Sequence, residues 1–415
     1  MRMGSSLSFV RNKFAEYYRS NSSFIQPPTS IEKREFGFLL LKERFMLRHR
    51  SFENVGVLRS FLKTTVPSDA YYSGAYYERP EEKMEEKGWL GADLIFDIDA
   101  DHIPTPCDKN HDSWVCKNCG TVDKGLPPEK CPECGEQKFD EKTWPCEVCL
   151  ETAKAETLKL IDILSKDFGF SLEEMRVSFS GHRGYHLHIE HEQVREMDQM
   201  ARKEIVDYVV GIGLEATLHG LEKTSFDNRS RILVGPNLDE NGWRGRIARG
   251  TYEFLLTATL EDLKRIDLKR HVVKTLLDQR ESLLESWKEK GPWGKMKNVG
   301  VESWKKIALH GAQRQAAKID TVVTTDIHRL IRLSNSLHGK TGFKKINVPI
   351  RGIEDFDPFK GAVAFKDGSV TVFVSDSPKL RVGEQIYEPF KEQKVELPTA
   401  AALLLLCKGA ATVVE

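Results

Sequence analysis

Residues 91–102 read GADLIFDIDADH, an apolar run of strand length that ends in two aspartates one residue apart. In a β-strand successive side chains alternate faces, so Leu94, Phe96 and Ile98 point into a core while Ile95, Asp97 and Asp99 share the other face. At a rise of about 3.3 Å per residue the two carboxylates stand roughly 6–7 Å apart at Cα. That separation suits two oxygen-seeking divalent cations held about 3.5–4 Å apart, an arrangement that serves in-line displacement at phosphorus. A lone D-x-D is equally an acidic strand end in an α/β fold, so the pair needs company from elsewhere in the chain before it carries a function.

The chain has 415 residues, 40% of them hydrophobic, enough for a large core with one or two appended domains. The start, MRMGSSLSFVRNKF, lacks the apolar stretch of a signal peptide. Nowhere do about 18 uncharged apolar residues run together, AAALLLLC at 400–407 coming nearest, so a cytoplasmic protein with no membrane partner is expected. Lysine plus arginine equals aspartate plus glutamate at 62 each, and bulk charge therefore gives no argument for a nucleic-acid partner. Any such site must be local. Asn228–Ile232, Trp243–Arg249 and the stretch 329–345 with Arg329, Arg332, Lys340, Lys344 and Lys345 are the candidates, each of which also reads as an ordinary solvated face.

Of eight cysteines, seven lie between 107 and 149, a clustering that in a cytosolic chain means metal before disulfide. Cys116-Lys-Asn-Cys119-Gly and Cys131-Pro-Glu-Cys134-Gly form two knuckles with eleven residues between them, the spacing of a zinc ribbon. Cys107-x3-His111 and Cys146-x2-Cys149 flank this ribbon and come together as a second set of four if the intervening stretch is an insertion. One or two Zn²⁺ ions are expected. Both sets read as structural, because four protein ligands leave no open position for water, and the block also stands as a folding staple without a direct role.

Residues 176–190, RVSFSGHRGYHLHIE, alternate on both sides of a Gly-rich turn. A hairpin here projects Ser180, His182, Arg183, His186 and His188 toward one place. A hydroxyl, a guanidinium and imidazoles beside exposed backbone N–H groups describe a cradle for an anion such as a triphosphate. Zinc ligation by His186 and His188, or a plain cross-strand surface, are the competing readings.

Taken together, GADLIFDIDADH, the Cys/His block and SFSGHRGYHLHI resemble the catalytic small subunit of archaeal and eukaryotic DNA primases, in order and in spacing. The resemblance extends to Arg34-Glu35-Phe36 with Met46-Leu47-Arg48, YYSGAYY at 71–77, M-x-x-K-G-W at 84–89, and KIDTVVTTDIHRLIRLSNSLHGKTGF at 318–343. It implies that Asp97, Asp99 and Asp320 hold two Mg²⁺ or Mn²⁺ ions, and that Ser180, Arg183, His186, Arg332 and His338 contact the incoming triphosphate. Glu35 and Arg48 match positions close to the nucleotide, and His182 departs from the basic residue many members carry there. Asp326, within the helical spacing of Ile327, Leu330, Ile331 and Ser334, is the rival to Asp320. The usual zinc motif of the family resembles only the outer set, Cys107, His111, Cys146 and Cys149, so the inner ribbon is the largest departure.

The expected fold class is α/β, a mixed-sheet core of the archaeo-eukaryotic primase type with a zinc-binding insertion and a mainly helical insertion. The expected segments are core residues 1–102, the zinc block 103–150 with its ribbon at 114–137, core 151–194, helices 195–317, and core 318–415 closing on a helix at LPTAAALLLLCKGA. GAVAFKDGSVTVFVS reads as a hairpin about Asp367-Gly368. The function implied is a DNA-dependent primase: a nucleotidyltransferase making short primers on single-stranded DNA from nucleoside triphosphates, working with a primase large subunit and the replication machinery. A repair-type primase-polymerase of the same superfamily, and a zinc-ribbon nucleic-acid-binding regulator whose carboxylates are incidental, are the alternatives.

Overall fold

The computed structural model describes residues 2–41, 45–227, 230–289 and 291–414. The chain divides into two compact units, one made of Met1–Thr157, Leu172–Lys203 and Ile319–Glu415, the other of Leu158–Ser171 and Glu204–Lys318.

The first unit is mixed α/β and contains two four-stranded antiparallel sheets. One runs in the order Ile346–Val348, Met175–Phe179, Gly184–Ile189, Leu94–Asp99, so the acidic strand and the Gly-rich hairpin are direct neighbours. In this register Asp97 lies opposite His186 and Asp99 opposite Gly184. The glycine is required: a Cβ at position 184 would stand 2.2 Å from the carbonyl oxygen of Ile98, and any side chain would prise the strands apart. The other sheet runs Leu330–Arg332, Pro67–Ser73, Phe36–Leu40, Met46–Arg50.

As the alternation requires, Leu94, Phe96 and Ile98 are fully buried on one face. Ile95, on the face of the aspartates, is buried too, in a cluster with Phe36, Phe38, Tyr72 and Ile331 of the second sheet. Burying each such side chain contributes roughly 1.5–3 kcal/mol, and this contact presses the two sheets together at one end of the acidic strand. The end bearing Asp97 and Asp99 stays open.

Three local expectations give way to tertiary pairing. The helical spacing about Asp326 is not realised: the helix is Thr321–Thr325, and Leu330–Arg332 becomes an edge strand on Pro67–Ser73. Backbone pairing with an existing strand outweighs a short periodic pattern there. The Asp367-Gly368 turn does not join a hairpin; Ser369–Ser377 pairs instead with Phe390–Pro398 and Ala411–Val413. The Trp243–Arg249 run is not a solvated basic face but part of the helix Gly242–Thr257, where Trp243, Arg246 and Ile247 are buried and Arg246 pairs with Asp162 and Asp167. The run at 228–232 lies, for its first two residues and for side chains through 231, outside the described residues.

The second unit packs Gly242–Thr257 and Val301–Gln315 about a cluster that includes Trp243, Trp287, Trp293 and Trp304. In the first unit the chain closes on the helix Thr399–Cys407, which is buried from Thr399 to Leu405 and so reads as apolar all round. Among the described residues no helix is long and apolar enough to cross a membrane.

Candidate active site and metal centres

A cavity of about 170 Å³ is lined by Asp97 and Asp99 from the acidic strand, by Ser180, His182 and His186 from the hairpin, and by Tyr71, Arg329, Arg332 and His338 from the facing segments. Asp320 reaches the same place by a backbone link. Its N–H donates to the carbonyl oxygen of Asp97 at 2.8 Å, and its side chain caps Thr321–Thr325 by accepting from the N–H of Val322. The residue before the helix, not Asp326, therefore joins the pair.

Burial first, then the charges of Asp99 and Asp320, push the Asp97 carboxyl well above its ordinary value; burial and Asp101 do the same for Asp99. Carboxylates that repel one another at a cavity wall fit divalent cations, whose charge relieves the repulsion. Across the strand pair, His186 Nε2 is 3.5 Å from Asp97 Oδ1, while its buried Nδ1 has no hydrogen-bond partner. Burial, then Lys345 and Arg332, hold this imidazole neutral, far below its ordinary pKa.

Ser180 is fixed by the turn that follows it. Its Oγ accepts from the N–H groups of His182 and Gly184, both at 3.3 Å, which leaves the hydroxyl proton uncommitted to either bond. The Arg332 guanidinium is shaped by Asp69, by the carbonyl of Leu337 and by the hydroxyl of Tyr71 at 3.1 Å. Such a braced fork is suited to two phosphate oxygens. His182 and His338 stack with ring centroids 5.1 Å apart.

Four expected residues, Glu35, Arg48, Arg183 and His188, are not brought into this cavity. Glu35 is fully buried with Arg48 at 3.0 Å and Lys87 at 3.2 Å. Burial opposes its ionisation, but the Arg48 hydrogen bond and the Lys87 ammonium outweigh it and keep the carboxyl below its ordinary value. The expected convergence of Arg183 with the other hairpin residues is also not met. Its fully buried guanidinium turns toward the cysteine block, donating to Asp112 Oδ2 at 2.6 Å and approaching Cys149 Sγ at 3.3 Å and Asp101 Oδ1 at 3.1 Å. His188, fifth of the hairpin set, pairs with Asp93 at 3.0 Å, and Asp93 in turn with Arg34 at 2.7 Å. Asp69 carries no local signal, while Tyr71, Asp101 and Arg329 lie in stretches the sequence singles out without naming the role they take here; the strand pairing of Tyr71 with Arg332 brings Asp69 and Tyr71 in.

Both cysteine sets are assembled. One ligand atom from each of Cys107, His111, Cys146 and Cys149 lies within 4.8 Å of the others, and the same holds for Cys116, Cys119, Cys131 and Cys134. Sulfur pairs stand 3.4–3.6 Å apart. That is far beyond a disulfide of about 2.05 Å and close to the roughly 3.8 Å edge of a tetrahedron with 2.3 Å zinc–sulfur bonds. In the outer set His111 turns Nδ1 to Asp112 at 2.6 Å and Nε2 to Cys149 at 3.5 Å, the bracing carboxylate that metal-binding imidazoles use. The inner set sits on the small sheet Val122–Lys124, Ser113–Cys116, Phe139–Lys142.

The family model for the DNA primase small subunit matches residues 135–351. The chain is 31% identical to the DNA primase small subunit PriS of Nitrosopumilus maritimus, over 98% of both chains. It is 34% identical to that of Methanococcoides burtonii, over 97% of both, and 34% identical to that of Archaeoglobus fulgidus, over 97% of this chain and 98% of the relative. With two carboxylates and a braced basic set around one cavity, a third carboxylate tied to Asp97, and relatives matched over nearly the whole length, the chain belongs to the DNA primase small subunit family.

Proposed function

We propose that this protein is the catalytic subunit of a primase, joining nucleoside triphosphates into short primers on a single-stranded DNA template during replication. The observation that carries this reading is the meeting of Asp97 and Asp99 with Ser180, His186, Arg332 and His338 in one cavity of the first unit, with Asp320 tied to Asp97 by its backbone and acting on its charge. Two Mg²⁺ or Mn²⁺ ions bound by the three carboxylates would lower the pKa of a 3′-hydroxyl and neutralise phosphate charge. The chain's own part is placement. Asp97 and Asp99 hold their charges on one strand face, Arg332 offers a fork fixed by Asp69, and the neutral imidazoles of His186 and His338 donate without adding charge that would have to be desolvated. These groups offset charge on the departing pyrophosphate, and no covalent intermediate is required.

The outer and inner cysteine sets are read as structural zinc sites, each closed by four protein ligands. A primase large subunit is the proposed partner, following the description of the relatives as small subunits. Nucleoside triphosphates are the proposed substrates, and the choice of sugar turns on small contacts about the 2′ position. Incubating the protein with template, Mn²⁺ and labelled nucleotides tests the reading: primers made without a supplied 3′-end support it. Extension only from an existing primer would favour a repair-type primase-polymerase, and no product at all a regulator.

A further inference from the structure

Lys408 stands at the C-terminal end of the helix Thr399–Cys407, and its ammonium lies 2.7 Å from Nε2 of His182, a residue of the cavity wall. Because an ammonium only donates, His182 accepts at Nε2 and carries its proton on Nδ1. The placement is firm on both sides. Gly181, at φ +90°, turns the chain against the 338–345 segment, where the Thr341 hydroxyl donates to the Gly181 carbonyl at 2.6 Å. That segment in turn abuts the closing helix, since a Cβ on Gly342 would stand 3.4 Å from Cβ of Leu403. A helix buried from Thr399 to Leu405 cannot swing away, so its last turn delivers Lys408 to the site.

Basic groups gather on this side of the cavity. Lys408, Lys340, Arg183 and Arg332 surround His182 and His338. Asp101 lies 3.9 Å from Nδ1 of His182 but is also 3.1 Å from Arg183, Asp99 beside it belongs to the proposed metal site, and Asp69 holds Arg332. Burial, then Lys340, push the Lys408 amine down to about 7, with Asp101 pulling the other way. A cationic group gathered against its own repulsion is what a site looks like before an anion completes it.

We propose that Lys408, together with His182 and His338, binds the distal phosphates of the incoming nucleoside triphosphate, which makes the C-terminal helix one wall of the nucleotide site. This rests on the reading of the cavity as the triphosphate site. A lysine at a helix C-terminus is also an ordinary partner of the helix dipole, and a lattice of nucleic-acid phosphates is a second source of the same anion.

The test uses the full-length chain and three probes: inorganic tripolyphosphate by calorimetry, a short single-stranded DNA oligonucleotide by anisotropy, and primer synthesis over a range of nucleotide concentrations. Loss of one charge-assisted contact in Lys408→Gln and Lys408→Met should weaken tripolyphosphate about tenfold and raise KM for nucleotide by the same factor, with kcat within about twofold. Lys408→Arg should restore most of it, and oligonucleotide affinity should not move. Unchanged tripolyphosphate binding in Lys408→Gln, beside a clear loss in Arg332→Ala, overturns the assignment of Lys408 and leaves the cavity reading standing. No loss in either variant overturns the cavity reading itself. Loss of oligonucleotide binding alone assigns Lys408 to the template and also overturns the proposal.

Discussion

Arg183 donates to Asp112 at 2.6 Å, and through this one buried contact the outer cysteine site and the catalytic strand share a support. Asp112 braces His111 on its other oxygen, while the same guanidinium nitrogen reaches Asp101, two residues beyond Asp99. A fully buried cation between two carboxylates and a thiol is stable only while its partners remain. Arg183→Lys, which keeps charge but loses the fork, is expected to speed release of outer-site zinc to a chelator about 10–100-fold, the usual effect of losing a residue that orients a ligand. Asp112→Asn should do the same and destabilise the fold by about 3–5 kcal/mol, read from denaturant midpoints. Zinc retention equal to that of the unaltered protein would remove the link.

Asp97→Asn and Asp99→Asn are expected to reduce nucleotide incorporation to background while leaving the fold intact. Amides of the same shape still pack, but they bind divalent cations poorly. Without added metal each variant should melt at or above the parent temperature, since one of the mutually repelling charges is gone. Primer synthesis retained in both would sink the assignment.

The raised carboxyls of Asp97 and Asp99 give a pH dependence with a definite sign. A carboxyl whose folded pKa exceeds its unfolded value near 3.8 is protonated more readily in the folded chain, so it costs nothing below that value. The cost grows as pH rises through 3.8 toward the folded pKa values, and stability contributed by protonation is lost over that window. Metal-free protein should therefore lose thermal stability between about pH 4 and neutrality by this contribution, and Mn²⁺ should raise the melting temperature more at pH 8 than at pH 5. Equal shifts at the two pH values would contradict the shared carboxylate site.

Metal analysis separates the nested cysteine sets. Two zinc ions per chain are expected, falling to one in Cys116→Ser/Cys131→Ser and to one in Cys107→Ser/Cys149→Ser. Only the outer pair should impair primer synthesis, because only the outer set touches Arg183. A single ion in the parent protein would refute two separate sites.

Arg332→Lys should raise KM for nucleotide about tenfold, since a point charge cannot keep the contacts to Asp69 and Tyr71 that aim the fork. Unchanged steady-state kinetics would place Arg332 outside nucleotide binding.

The sequence by itself determined what is local. Alternation placed Asp97 and Asp99 on one face, knuckle spacing named both cysteine sets, and Gly181 to Gly184 marked the turn between two strands. These follow from periods of two residues and from glycine's freedom, which need no knowledge of the rest of the chain. Tertiary structure alone decided where the long-range partners fell. Arg183 left the cavity for Asp112, 71 residues away, because a fully buried guanidinium must find carboxylates wherever the fold supplies them. Leu330–Arg332 became a strand because Pro67–Ser73 offered unpaired backbone groups, and that pairing set Tyr71 and Asp69 beside Arg332. Lys408 reached His182 only because an all-apolar helix had to be buried beneath the turn, a demand no local pattern around residue 182 records.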